Sequence, residues 1–291
     1  MHTGGGALAT GMETDGLETL DLGREIAAFS GRIGLWAHDL STGAVVAHEA
    51  DAVFEGASTI KVLIMIEAFR QAATGRLRLD EPVAYEPSHH VRGSGVLRDF
   101  TPGAVLSLHD AIVLMMIVSD NVATNMVIDR VGLDSVNHAA ERMGLAATRL
   151  MAPLHFDQHP PEFGVSRTTA RELGGLVERL ARGQAVGPEA DAQMLAIMRR
   201  QHYTSGLDRY LPYELLDQRA DRDPVVSIAS KSGSWDGVRN IVGLVESPRA
   251  RYVVCLLSAE CSDLRAHPDN EAMVVLPRLS RAVFDRFGAG A

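Results

Sequence analysis

Apolar and polar positions along the chain switch between two periods. Leu17 to Phe29 repeats apolar residues at helical spacing, after a Gly-rich polar tail over 1–15. Gly34 to Val46 then reads as two short strands joined at Ser41-Thr42-Gly43, a turn-type sequence in hairpin context. Ser58 to Thr74 is helical, with Val62, Ile66 and Phe69 near one face, and Pro82 to Gly103 is marked as loop by Pro and Gly. Ser107 caps a helix over Leu108 to Val118 that is too apolar all round to lie on a surface. Asn121 to Val131 and Asp134 to Met143 are two more helices, and the Pro-rich stretch Met151 to Gly164 is a long loop. Thr168 to Arg182 and Glu189 to Arg200 return to helix. Val225 to Ser230, Val238 to Val245 and Tyr252 to Ser258 are β-type runs, and Asn270 to Phe287 closes with a helix.

This order predicts an α+β fold. The early hairpin pairs with the late strands in one antiparallel sheet, and the terminal helices cover it. The helical middle forms a second lobe. On this reading a single catalytic unit over 16–291 has an α/β lobe (16–57 and 206–291) and a helical lobe (58–205), with the active site between them.

Composition narrows the function. Apolar residues make up 46% and charged residues 22%, an ordinary globular balance rather than a disordered one. The net charge is −9 with no basic tract, which argues against nucleic acid as a partner. The apolar run Ala111 to Val118 is far short of the ~20 residues of a membrane helix. Two cysteines, Cys255 and Cys261, are too few for a disulfide framework or a cysteine-built metal site. His89-His90 and His155/His159 lack metal-ligand spacing and read as packed or surface histidines, so no metal and no cofactor is expected. The first twenty residues show no basic start followed by an apolar run. The sequence as it stands therefore reads as cytoplasmic, or as periplasmic or secreted if a leader has been removed. A monomer acting on a small molecule is expected.

One count stands out. Of 28 basic residues only two, Lys61 and Lys231, are lysines. Either this is drift toward Arg, or these positions need a compact ammonium whose pKa can be lowered, which Arg does not supply. Their neighbours carry the chemistry. Ser58-Thr59-Ile60-Lys61 opens a helix, with hydroxyl and amine one turn apart beside free N–H groups. Ser119-Asp120-Asn121 stands between two helices, and Lys231-Ser232-Gly233 ends a β-type run. Singly, these are a cap with a surface charge, a capping triplet and a charged strand end.

Together, with first residues 61 and 112 positions apart, they resemble the Ser-x-x-Lys, Ser-Asp-Asn and Lys-Thr-Gly set of class A β-lactamases and penicillin-binding proteins, Ser232 standing where Thr is usual. The resemblance covers roughly residues 20–287. It implies Ser58 as nucleophile, Lys61 as its base and Ser119 as proton relay to the leaving nitrogen. Asn121 would hold the substrate's amide, Lys231 and Ser232, with Gly233 and Ser234 beside them, would bind its carboxylate, and the N–H groups of Ser58 and Ser234 would form the oxyanion hole. Ser94 would border the cleft or simply sit in a plain turn, and Trp235 would line the pocket or be an ordinary packed aromatic.

The resemblance breaks at the loop over 148–169. The family's deacylating Glu falls at Leu154 and its loop Asn at Gln158, and the buried Arg–Asp bridge that closes the loop has no counterpart. A shifted register would bring Asp157 or Glu162 to the water; otherwise both are solvated loop carboxylates. Three readings stay open: a β-lactam-opening serine hydrolase of weak or altered activity, a peptidase or esterase of the same fold, and a non-enzymatic acyl trap or sensor.

Overall fold

The computed structural model describes residues 22–155, 164–216 and 224–288. Asp157, Glu162, Gln158, His159 and the tail over 1–15 lie outside the described residues. Helix α1 (Leu22–Ala28) leads into β1 (Arg32–Asp39), and the chain turns back into β2 (Val45–His48). The turn is closed by Asp39, whose Oδ1 accepts the N–H groups of Ser41 (2.8 Å) and Thr42 (3.2 Å). The two-residue β3 (Phe54–Glu55) precedes a 3-10 turn (Ala57–Ile60) and α2 (Lys61–Ala73). Strands β4 (Pro82–Ala84) and β5 (Val105–Ser107) pair across the segment expected to be loop. Then come α3 (Leu108–Ile117), α4 (Asn121–Val131), α5 (Leu133–Arg142), β6 (Arg149–Leu150), β7 (Ser166–Thr168), α6 (Ala170–Ala181), α7 (Pro188–Arg199) and α8 (Tyr213–Leu216). Strands β8 (Ser227–Trp235), β9 (Val238–Glu246) and β10 (Arg251–Ala259) and helix α9 (Glu271–Gly288) complete the described chain.

The five long strands form one antiparallel sheet in the order β2-β1-β10-β9-β8, so the early hairpin does close onto the late strands. Its central strands are buried on both faces, which is why β10 reads as a near-continuous apolar run. Successive residues alternate between two cores, as a period of two requires. Val253, Cys255 and Leu257 join Trp36, Leu173 and Leu176 on the face of the helical middle, while Val254 and Leu256 pack with Leu22, Leu276, Leu279 and Val283 of the terminal helices.

Helix α2 runs through the first core, with every residue from Lys61 to Phe69 buried. A helix buried all round must satisfy its polar side chains internally. Glu67 does so by accepting from Arg70 (2.6 Å), Gln71 (2.9 Å) and Arg142 (3.1 Å), which ties α2 to α5.

Two local readings need correction. Ser58 is not on the first α-turn: it lies in the 3-10 turn, entered through Ala57 at φ +45°. Side chains compete with helical hydrogen bonds there, since Thr59 Oγ1 donates to the Gly56 carbonyl (2.5 Å) and Ser166 Oγ to that of Ala57 (3.2 Å). Lys231 is not at a strand end either. Pairing with β9 continues through Trp235↔Val238, past the point where the apolar pattern stops.

Candidate active site

The three motifs meet around one hydroxyl. Lys61 Nζ donates to Ser119 Oγ (3.1 Å), to the Ser119 carbonyl (2.9 Å) and to Asn121 Oδ1 (2.9 Å). Lys231 Nζ reaches the same Ser119 Oγ at 3.1 Å and the Ser232 carbonyl at 2.6 Å. Both lysines are fully buried. Burial, then the charge of Lys231, holds the Lys61 amine well below the ordinary lysine range, while Asp120 pulls the other way. Burial alone brings Lys231 down to about 7.

Backbone geometry puts Ser119 there. Its φ is +54°, a left-handed conformation that costs a residue with a Cβ, and the next residue, Asp120, caps α4. Asp120 fixes the corner. One carboxylate oxygen caps α4 on the Ala123 N–H (2.9 Å), and the other accepts from Val96 (2.6 Å) and Leu97 (2.8 Å). Asn121 is held on both sides: its N–H donates to the Ser94 carbonyl (3.0 Å) and its Nδ2 to that of Arg92 (3.1 Å).

Strand β8 is the edge of the sheet and lies against the Ser58 turn. Contact is close enough that a Cβ at Gly233 would stand 2.9 Å from Ser58 N and 3.0 Å from Thr59 N. Alternate N–H groups of an edge strand have no partner in the sheet, and the first N–H groups of a helical turn have none within the turn. The backbone of the Ser58 turn thus lies directly against Gly233 of β8, and Ser58 and Ser234 line one cavity.

Above these groups opens a cavity of about 280 Å³, lined by Ser58, Asn121 and Ser234 from the motifs and by Ser94 and Trp235. Leu154 and Val165 also line it, so the loop presents aliphatic side chains to the site, one of them at the position where the sequence resemblance leads one to expect the family's Glu. Leu154 is pinned through its backbone: its N–H donates to Asn125 Oδ1 (2.8 Å) and its carbonyl accepts from Asn125 Nδ2 (3.2 Å). Among the described residues no group of His, Cys, Asp and Glu is arranged to hold a metal ion.

The family model for the beta-lactamase enzyme family matches residues 19–287. The chain belongs to that family. The beta-lactamase AST-1 of Nocardia asteroides is 28% identical over 278 residues, 91% of this chain and 82% of its own. A beta-lactamase from Sphaerobacter thermophilus superposes with a TM-score of 0.83 at 27% identity, over 96% of this chain and 99% of that one. PBP-A superposes at 0.80 and 27%, over 94% and 97%. A leucine-to-glutamate variant of PBP-A, in an acyl-enzyme complex with penicillin G, matches at 0.79 and 26%, over 94% and 98%. The expected α+β architecture is thus that of this beta-lactamase family. No described helix is long and apolar enough to cross a membrane.

Three charged cavity residues of this family member belong to none of the motifs: Glu55, Asp236 and Arg239. Glu55 sits in a two-residue strand whose partner, β7, lies more than a hundred residues on, so no local pattern marks it. Asp236 lies in the β8–β9 turn and Arg239, on β9, pairs with Ser234, and neither stands in a run of reactive residue types.

Proposed function

We propose that this family member is a serine hydrolase that opens β-lactams by forming an acyl-enzyme on Ser58 Oγ and releases the acyl group slowly. The observation that carries the reading is the convergence of Lys61 and Lys231 on Ser119 Oγ beneath the cavity that Ser58 lines. Ser58 Oγ attacks the lactam carbonyl carbon while Lys61, whose charged form its surroundings disfavour, takes the hydroxyl proton once it has given up its own. The oxyanion is received by the N–H groups of Ser58 and Ser234. The carbon–nitrogen bond then breaks, and Ser119 passes a proton to the leaving nitrogen while regaining one from Lys61. Asn121 holds the acyl amide, and Lys231 with Ser232 binds the substrate carboxylate.

Slow release follows from Leu154, since an aliphatic side chain does not take a proton from water. The same residue, with the likeness to PBP-A, favours a second reading: a penicillin-binding-type peptidase or esterase whose own substrate brings less need for that base. Intact mass measured over time after mixing with penicillin G tests both, with Ser58→Ala as control. An adduct that forms on wild type and persists supports the first reading. Rapid ester turnover with no lactam adduct supports the second, and an adduct that persists with every substrate tried points to an acyl trap.

A further inference from the structure

Glu55 ends β3, three residues before Ser58, and lines the same cavity. Its backbone is fixed: Asn240 Nδ2 donates to its carbonyl (2.7 Å), and its register partner is Arg167 of β7. Its carboxylate is not. Among the described residues it has neither a hydrogen bond nor an ion pair, although Arg167 stands across from it.

The other charged groups lining the cavity do not neutralise it. Asp236 has the same sign, and the Arg239 guanidinium is turned to the carbonyls of Trp235 (2.6 Å), Val238 (2.7 Å) and Arg265 (3.3 Å). Room for the side chain comes from Gly164 on the loop before β7, where a Cβ would run into the carboxylate. Burial alone pushes the Glu55 pKa up to about 7. A half-buried carboxylate without a partner is costly, and a cation brought by a ligand offsets that cost. Leu154 and Val165 beside it offer apolar surface and no competing donor from their side chains.

We propose that Glu55 reads a positive charge on the acyl portion of the substrate, so that the site prefers acyl donors carrying an ammonium there. This rests on the reading of Ser58 as the acylated residue. A substrate of this kind is zwitterionic: its carboxylate goes to Lys231 and its ammonium to Glu55. Neutral acyl groups are still accepted, with Glu55 protonated.

Two measurements at pH 8 separate this proposal from the one it rests on. In the first, phenylacetamide and its para-aminomethyl derivative, which stays cationic at that pH, are titrated onto the protein by calorimetry. The cationic amide should bind about three- to fivefold more tightly, as for a partly exposed ion pair. Glu55→Gln should bring the ratio to one, and Glu55→Asp should keep a preference. In the second, acylation by penicillin G and its para-aminomethyl derivative is followed by intact mass, and the same preference should appear in kcat/KM.

A ratio of one in wild type, or a ratio that Glu55→Gln leaves unchanged, overturns the proposal. So does Glu55→Gln slowing release of both acyl groups equally, which would make Glu55 a water-activating base. A fall in Tm shared by Glu55→Gln and Arg167→Gln, with the ratio unchanged, would make it a structural residue and also overturns it. If neither penicillin acylates Ser58 while the amide preference holds and disappears in Glu55→Gln, the β-lactam reading falls and the charge preference stands.

Discussion

Lys61 Nζ and Lys231 Nζ each stand 3.1 Å from Ser119 Oγ, so the chain's two lysines share one hydroxyl. A hydroxyl accepts two hydrogen bonds and has one proton to give. Two buried ammonium groups so close disfavour each other's charge, and the like charge is among the causes that depress Lys61. The pair is thereby unequal: the Lys61 ammonium is the readier to lose its proton, and Lys231 keeps its charge up to about pH 7.

That division sets the pH dependence. Lys231 has its pKa lowered, so it is cationic below about 7 and neutral above, and a neutral amine does not hold a carboxylate. The kcat/KM for acylation by an anionic penicillin is expected to fall above pH 7, by up to tenfold per unit, as the free enzyme loses that proton. Lys231→Arg, always charged, should remove the fall even at a lower overall rate. An identical fall in both proteins would show that another group is titrating.

Asp120 acts on Lys61 alone of this pair. Its charge raises the Lys61 pKa, opposing burial and Lys231. Asp120→Asn keeps an oxygen to cap α4 but removes the charge and the second acceptor for Val96 and Leu97. The neutral form of Lys61 should then be reached at lower pH, moving the rising limb of the acylation profile to the acid side. Stability should drop by about 1–3 kcal/mol for the unsatisfied N–H groups. Acylation profiles and thermal melts read the two effects separately, and an unmoved limb would refute the electrostatic one.

Gly233 measures how close β8 must approach the Ser58 turn. An alanine Cβ there would sit 2.9 Å from Ser58 N and 3.0 Å from Thr59 N, atoms of backbone rather than of flexible side chains. Strand and turn must separate by a few tenths of an ångström, which would misplace the N–H groups of Ser58 and Ser234 that we propose receive the oxyanion. Gly233→Ala should lower acylation about 100-fold and stability by about 1–3 kcal/mol. Acylation within threefold of wild type, with Tm reduced, would place the donors elsewhere.

The sheet was legible in sequence because its strands are long and apolar and its hairpin has a turn sequence at Ser41-Thr42-Gly43. The three motifs were legible because each is a short run of reactive residue types. What escaped lies where contact comes from far along the chain. β3 is two residues long and exists through Thr168 and Arg167, so neither it nor Glu55 left a local trace. β8 looked finished at Ser230 because its next inward residue is a lysine aimed at Ser119 rather than an apolar side chain. The 3-10 turn at Ser58 escaped because its cause is tertiary: Ser166 bonding back to Ala57 from the far end of the loop.

The proposed slow release of the acyl group rests on Leu154, which lines the cavity with an aliphatic side chain. Its side chain is 3% exposed, and the Asn125 clamp holds its backbone whatever side chain it carries. Leu154→Glu should therefore deliver a carboxylate to the cavity at the same point of the loop. Burial would raise that carboxylate's pKa into the range where a base works best, while Lys61, when charged, would oppose the rise. The lifetime of the penicillin G adduct, followed by intact mass, should shorten at least about 100-fold, at a cost of about 1–3 kcal/mol for burying a polar group. Leu154→Gln is the matched control, with the same size and polarity but no base, and should shorten it little. If Glu and Gln leave adducts of equal lifetime, hydrolysis is limited by the access or position of water, and the leucine is a packing residue rather than the reason the acyl group stays.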